Sequence, residues 1–389
     1  MTTTPLTIFD TTMRDGEQAP GFSMTPAAKA RLATQLDCLG VDVIEAGFPK
    51  ASVGDFEAVR GIAARVRRPI IAALARALED DIDCAWEALR GAARPRLHVF
   101  LATSDIHLEY KLRVDRAACR QMAAAAVAHA RRYCPDVEFS AEDATRSDPA
   151  FLAEVAEAVI EAGASTVNLP DTVGYALPED IGAMFAAVRA RVGDGAVLSA
   201  HCHDDLGLAV SNSLAAIQAG ARQVECTING IGERAGNAAL EEIVMALCVR
   251  PDRLPYRVGI RTEHLFETSR LLSAIVAVPV PPNKAIVGDN AFAHEAGVHQ
   301  DGMLKHRLTY EIMEPATVGA PGTRLVIGKH SGIRGVDARC RALGHHLRPD
   351  DLTRLYARLI PLADQIKELD DTRLAALIAE TRGVGAEAR

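Results

Sequence analysis

The sequence predicts an α/β fold, a closed (β/α)8 barrel followed by a smaller, mainly helical C-terminal region. Up to about residue 250, short apolar runs rich in β-branched residues alternate eight times with longer, Ala-rich segments of helical period. The runs are apolar almost throughout, as in strands buried on both faces, and the segments between them are long enough for right-handed crossovers, so the sheet is parallel. A doubly wound open sheet is the competing arrangement, but it usually needs fewer strands.

In chain order the strand candidates are 6–10, 41–47, 69–74, 97–103, 137–142, 166–170, 197–203 and 223–229, each followed by a helix-like segment. The strand ends of such a barrel form one rim, where barrel enzymes keep their chemistry. Polar residues gather at these ends. Arg14, Asp15 and Glu17 follow the first strand, and Thr103, Ser104 and Asp105 follow the fourth. Glu142 and Asp143 close the fifth, Asp171 and Thr172 the sixth, and His201 and His203 the seventh, while Asn229 through Asn237 follow the eighth. Beyond Pro251 the alternation stops, and a Pro-rich stretch at 278–283 introduces a different region. The expected division is therefore a barrel over 1–250 and an appendage over 251–389, whose segment 349–380 has the pattern of two amphipathic helices.

Composition narrows the partners. A net charge of -8, with both signs scattered and no basic run, gives nucleic acid and anionic membranes no electrostatic footprint, which leaves small molecules. The eight cysteines include no C-x-x-C pair and read as reduced thiols. The start, MTTTPLTIFD, has neither a basic leader nor an apolar signal core, and no stretch approaches the roughly 20 apolar residues that span a bilayer. A cytoplasmic address is expected.

The strongest local signal is His201-Cys202-His203 at a strand end, because residues two apart in a strand share a face. Both imidazoles can meet one ion, although an isolated pair on a rim reads equally well as solvent-facing. Barrel closure brings Asp15 and Asn237 into the same neighbourhood. Oxygen and imidazole ligands with positions left for water suit Mg2+ or Mn2+; the ligand types also fit zinc or iron. Arg14, next to Asp15, places a fixed positive charge beside that ion; its ordinary reading is an ion pair, with Glu142 as the candidate partner. A carboxylate that orients an arginine also aims its charge at a developing oxyanion, so Glu142 is either orienter or acid-base group.

Other patterns carry less. In 229–237 the third glycine falls one position too late for a dinucleotide loop, so the glycines serve a tight turn. Gly328 to Gly332 lacks phosphate-loop spacing and reads as a turn. His294 and His299 are five apart, which is not the zinc-protease spacing.

The runs DTTMRDGEQAPGFSM (10–24) and SAHCHDDLGLAVSNSLAAIQAGARQVECTINGIGERAGN (199–237) resemble the two signatures of the 2-isopropylmalate, homocitrate and citramalate synthase family. The resemblance extends through VDVIEAGFP, HVFLATSDIHLEYKL, VEFSAEDATRSD, NLPDTVGY, PNKAIVGDNAFAHEAGVHQDG and YEIM, over roughly 5–335. It implies a TIM barrel whose appended subdomains reach over a partner's active site in a homodimer, with His299 assisting acid-base chemistry in trans. It further implies that Asp15, His201 and His203 bind the metal with Asn237 in or near that set, that Arg14 steadies the substrate oxygen with Glu142 as its partner, and that Thr172 binds the oxo-acid carboxylate. The implied reaction is a Claisen condensation of acetyl-CoA, the co-substrate, with a 2-oxo acid.

The choice of acid rests on the pocket. Ser140 projects to the same side as Glu142 and leaves room for a branched chain where citramalate synthases resemble this segment but carry a bulky residue; His98 and Phe100 are candidates to line the same pocket. No extra cation waits for a second carboxylate, so 2-oxoisovalerate is expected, with 2-oxoglutarate, pyruvate or the unusual 2-oxo acid of a specialised-metabolism relative as alternatives. Familiar long isopropylmalate synthases continue into a leucine-sensing domain, whereas this chain ends at Arg389, so leucine feedback through that domain is expected to be absent. A lyase running comparable chemistry backwards and a non-catalytic metabolite sensor are the competing classes; the sensor would have lost a charged rim residue, and all are present.

Overall fold

A computed structural model of the protein describes residues 3–366 and 369–384. Eight parallel strands, β1 (Thr7–Asp10), β2 (Val43–Glu45), β3 (Ile70–Arg76), β4 (Pro95–Ala102), β5 (Val137–Glu142), β6 (Thr166–Asp171), β7 (Val197–Cys202) and β8 (Gln223–Cys226), pair in sequence order. β8 pairs back on β1, Asp10 opposite Cys226, and closes the barrel. The expected strands are all present and differ only at their ends. The eighth stops at Cys226 because Ile228–Gly230 coils as a 3-10 turn with Asn229 at φ 62.

Each strand is followed by a helix: α1 (Pro26–Leu39), α2 (Val53–Arg65), α3 (Glu79–Leu89), α4 (Arg116–Arg131), α5 (Pro149–Glu161), α6 (Pro178–Val192), α7 (Ala209–Gln218) and α8 (Leu240–Val249). Their starts are written locally. Thr25, Ser52, Asp115 and Asp148 accept the N–H groups of Ala28, Asp55, Ala118 and Phe151, caps worth about 1 kcal/mol each, and proline opens α1, α5 and α6. Gly40, at φ 99, ends α1 in the left-handed conformation that an L side chain resists.

Alternation along β4 shows how the interior is divided. Leu97, Val99 and Leu101 are buried under the helices, while Arg96 and His98 point into the barrel, which is floored by polar side chains. Arg96 bonds Glu138 (2.9 Å) and Gln223 (2.7 Å), and Gln223 also bonds Glu138 (2.7 Å) and Ser199 (3.0 Å). With these donors and acceptors paired, the buried charge is tolerated and the barrel is plugged below the site.

The compact barrel unit runs to Val280, beyond the expected break at 250. The reason is α9 (Leu265–Val276), whose Thr268 accepts from Gln35 of α1 at 3.0 Å and whose Leu265, Leu272 and Val276 are buried. Repetition of strands stops at 250; packing onto the barrel does not. The second unit, 281–389, contains α10 (Gly297–Lys305), α11 (Ile333–Ala342), α12 (Pro349–Ala363) and α13 (Asp371–Val384), the last two in the segment expected to form two helices. Val336, Cys340, Leu355, Leu359, Leu374 and Ile378 form its core, each buried Leu or Ile contributing about 2 kcal/mol. Residues 328–332 form a turn. Among the described residues no helix is long and apolar enough to cross a membrane.

Candidate active site and metal centre

The carboxyl ends of the strands surround a cavity of about 280 Å³. Of the residues singled out from the sequence, Arg14, Asp15, His98, Phe100, Ser140, Glu142, Thr172, His201 and His203 all line it. Asp15 is delivered by a tight turn in which the carbonyl of Thr11 accepts the N–H groups of Arg14, Asp15 and Gly16. His201 lies in β7, and His203, just beyond it, bridges to Asn237 in antiparallel fashion.

Asp15, His201 and His203 converge as the sequence suggested. Nε2 of His201 is 3.0 Å from Nε2 of His203, and these nitrogens lie 3.3 and 3.6 Å from Oδ2 of Asp15. Donor atoms of the three buried residues fall within 4.8 Å of one another. Oδ1 of Asn237 is buried without a partner among the described residues, its amide nitrogen being spent on the carbonyl of Ile231 at 3.1 Å. The loop glycines put it there: a Cβ on Gly236, which sits at φ 99, would meet the carbonyl oxygen of Gly230 at 2.0 Å.

Electrostatics reinforce the geometry. Burial pushes the Asp15 carboxyl up, but the Arg14 guanidinium and the two imidazoles outweigh it and hold it well below the usual carboxylate range. Burial lowers His201, yet its bonds to Asp15 and Glu225 carry it to about 9. Burial and the charge of His201 push His203 down to about 4. One positive charge is therefore stored between two facing imidazole nitrogens and a carboxylate. A divalent cation suits that position, since it replaces the stored proton and employs the unpaired Asn237 oxygen.

Arg14 does not pair with Glu142. Its Nε bonds Oε2 of Glu45 at 2.5 Å and its Nη1 bonds Asp15 at 2.9 Å, with Glu225 3.8 Å from Nη2. Glu142, at the end of β5, is held instead by Lys111, whose Nζ bonds both carboxylate oxygens at 2.6 and 2.8 Å. The implied partnership is corrected for a topological reason: Glu45 ends β2, the neighbour of β1, while Glu142 lies further round the rim beside the turn of π-helix Leu108–Leu112 that carries Lys111.

His98 is more than a wall. Its Nδ1 meets Oε1 of Glu45 at 2.6 Å and its Nε2 meets Oγ of Ser140 at 2.8 Å. Burial lowers its pKa, but Glu45 raises it further, and Glu45 itself, buried yet facing Arg14 and His98, falls to about 2. Ser140 also accepts from Nδ2 of Asn168 at 2.8 Å. The Thr172 hydroxyl accepts the Asp143 N–H at 2.9 Å, which leaves its own hydrogen for a ligand. His299 belongs to the second unit, where its ring stacks on Tyr310 with centroids 4.1 Å apart.

Glu45, Glu225, Asn168 and Lys111 escaped the reading of the sequence as site residues. A signal existed for the first two: each is the lone carboxylate of a buried strand, which is tolerated only where a partner waits. Oε2 of Glu225 meets Nδ1 of His201 at 2.9 Å.

Comparison with known proteins identifies the family. Residues 5–272 match the HMGL-like family model, and residues 286–367 match the homocitrate synthase post-HMGL domain-like model. The chain is 57% identical to a 2-isopropylmalate synthase of Carboxydothermus hydrogenoformans over 96% of its own length and 74% of the relative's. It is 56% identical to that of Syntrophus aciditrophicus over 96% and 73%. The barrel resembles the solved hydroxymethylglutaryl-CoA lyase of Pseudomonas aeruginosa, with a TM-score of 0.61 and 23% identity over 72% of this chain and 96% of that one, a likeness of fold.

Proposed function

The chain belongs to the HMGL-like family, among the 2-isopropylmalate synthases, and from that premise we propose that it condenses acetyl-CoA with 2-oxoisovalerate, giving 2-isopropylmalate and CoA. It is an acyltransferase. The observation that carries the substrate reading is a candidate metal-ligand set beside the Arg14 guanidinium in a cavity also lined by Phe48, Leu74, Phe100 and Ser140.

Asp15, His201 and His203 would hold the divalent cation, Mg2+ or Mn2+, with Asn237 completing the set. Such an ion supplies Lewis acidity toward the 2-oxo acid. Arg14, pinned through Nε and Nη1, presents Nη2 as its least committed donor, placed to stabilise negative charge as it develops on the ketone oxygen. Thr172 donates to the oxo-acid carboxylate. Phe48, Leu74 and Phe100 with Ser140 receive the isopropyl group. The reaction balances simply. A base takes a proton from the acetyl methyl group, the enolate carbon bonds C2 of the oxo acid, and the carbonyl electron pair moves to oxygen, which is protonated. Water then adds to the thioester, and the C–S bond breaks to release the thiol of CoA. Glu142, held by Lys111, is an acid-base candidate on the barrel rim, and His299 a second one.

The active form is a homodimer in the cytoplasm. Val298, Leu308 and Ile312 in the second unit, exposed by 75%, 74% and 73%, are apolar surface that a second copy would cover.

The test is thiol release from acetyl-CoA with Mg2+ or Mn2+ and a panel of 2-oxoisovalerate, 2-oxoglutarate, pyruvate and longer 2-oxo acids. Preference for 2-oxoisovalerate is expected. Cleavage of an acyl-CoA with no 2-oxo acid promoting thiol release would replace the synthase reading by the lyase one. Light scattering at twice the 41.5 kDa chain mass is the expected oligomer result.

A further inference from the structure

Lys29, in the first turn of α1, is a buried lysine with 1% of its side chain exposed. Its ammonium is shared by two carboxylates, those of Glu17 and of Asp55, the latter at 2.5 Å. Each carboxylate spends its other oxygen on the main chain of a loop. Glu17 accepts the N–H of Met24 at 2.7 Å, and Asp55 accepts the N–H of Phe48 at 3.1 Å. One ammonium thus ties the loop after β1, which carries Gln18, to the loop after β2, which carries Phe48, and both of those side chains line the cavity.

The backbone is shaped around this junction. A Cβ on Gly47, which sits at φ 153, would lie 3.2 Å from Oδ1 of Asp55 and 3.3 Å from Nζ of Lys29, so a side chain there would be strained and would press on the cluster by a few tenths of an ångström. The Gly47 carbonyl accepts the N–H of Leu74, another lining residue, which extends the tie to β3. A buried ion pair of this kind contributes little net stability over a well-packed apolar replacement, whereas it fixes geometry through directed bonds.

We propose that Lys29 is a positioning residue for the condensation: without touching substrate, it sets Gln18 and Phe48 against the bound 2-oxo acid. This rests on the synthase reading above. Asp15 is held independently, by the Thr11 turn and by Arg14, so the junction governs oxo-acid binding and not the metal ligands.

The experiment replaces Lys29→Met and measures steady-state kinetics for 2-oxoisovalerate together with Mn2+ affinity by calorimetry. KM is expected to rise about tenfold, kcat to stay within about threefold and metal affinity within about twofold, the pattern of lost ground-state binding. Phe48→Ala should raise KM in the wild-type background and add little in the Lys29→Met background, because the second change then removes a side chain already misplaced. An unchanged KM in folded Lys29→Met protein, or fully additive effects of the two changes, overturns the proposal. Should that variant not fold, Lys29→Met with Asp55→Asn, which leaves only the partly exposed Glu17 charged, takes its place with the same expected and overturning results. Absence of 2-oxo-acid-dependent CoA release from the wild type itself would bring down the synthase reading and this proposal together; retained wild-type activity with an unmoved KM removes only the role of Lys29.

Discussion

Glu225 accepts a hydrogen bond from Nδ1 of His201 at 2.9 Å, and that contact turns the opposite nitrogen toward Asp15 and His203. A carboxylate behind a ligating imidazole fixes its tautomer and raises its basicity. Glu225→Ala is therefore expected to weaken Mn2+ binding about 10- to 100-fold, with Glu225→Gln, which keeps an acceptor, losing less. Calorimetric titration of Mn2+ into the apoprotein is the measurement. Equal affinities for the alanine variant and the wild type would detach Glu225 from the metal centre.

Glu45 joins two groups that face the substrate cavity, Nε of Arg14 and Nδ1 of His98. Glu45→Gln removes the charge opposite both and is expected to lower kcat/KM by about 10²- to 10³-fold, as for loss of an oriented oxyanion-stabilising donor. Glu142→Gln leaves the Arg14 pair intact. If pairing with Arg14 is what matters, the two variants separate in the dependence of kcat/KM on Arg14: in an Arg14→Met background Glu45→Gln adds little, while Glu142→Gln keeps its full effect. Identical behaviour of the two carboxylates in that cycle would contradict the assignment.

The letters carried the barrel and the pairing of His201 with His203 on one face because both depend on local periodicity. Alternation of strand and helix is visible run by run, and His201 and His203 share a face by the geometry of a single strand end. The partner of Arg14 was another kind of question. It depends on which way a long side chain leaves the Thr11 turn and on the neighbouring strand β2, neither of which is written in the spacing of Arg14 and Glu142. The compact unit reaches past residue 250 for a related reason. α9 brings no new strand, so the pattern ends at 250, yet Thr268 and Leu272 pack it onto the barrel.

Asp10, at the end of β1, is buried and accepts from the main-chain N–H of Thr12 at 3.1 Å and its hydroxyl at 2.7 Å. Burial outweighs these bonds and lifts its pKa from 3.8 to about 7. The sign follows from proton binding: between those values the folded state holds the proton that the unfolded chain releases, so the contribution is fully present below 3.8 and is lost as pH rises through about 7. Asp10→Asn removes this dependence. Urea melts at about pH 5 and about pH 8 should show the variant gaining on the wild type at the higher value. A stability difference independent of pH would refute the burial account.

Ser140 lines the cavity at the place where the proposed function puts the side chain of the 2-oxo acid. Its hydroxyl accepts from Asn168 and meets His98, each at 2.8 Å, so the small residue is also the keystone of a polar pair. Ser140→Ala keeps the space but strands both partners, at about 1–3 kcal/mol for a buried group left unpaired, and should depress kcat/KM for every 2-oxo acid alike. Ser140→Leu strands the same partners and also fills the cavity. Its loss is therefore expected to be at least about tenfold greater for 2-oxoisovalerate than for pyruvate, since steric exclusion of two methyl groups adds to the shared polar term. Comparing the ratio of kcat/KM for the two acids across wild type, Ser140→Ala and Ser140→Leu isolates that steric part. A ratio constant across all three would place the isopropyl group elsewhere in the cavity, away from β5.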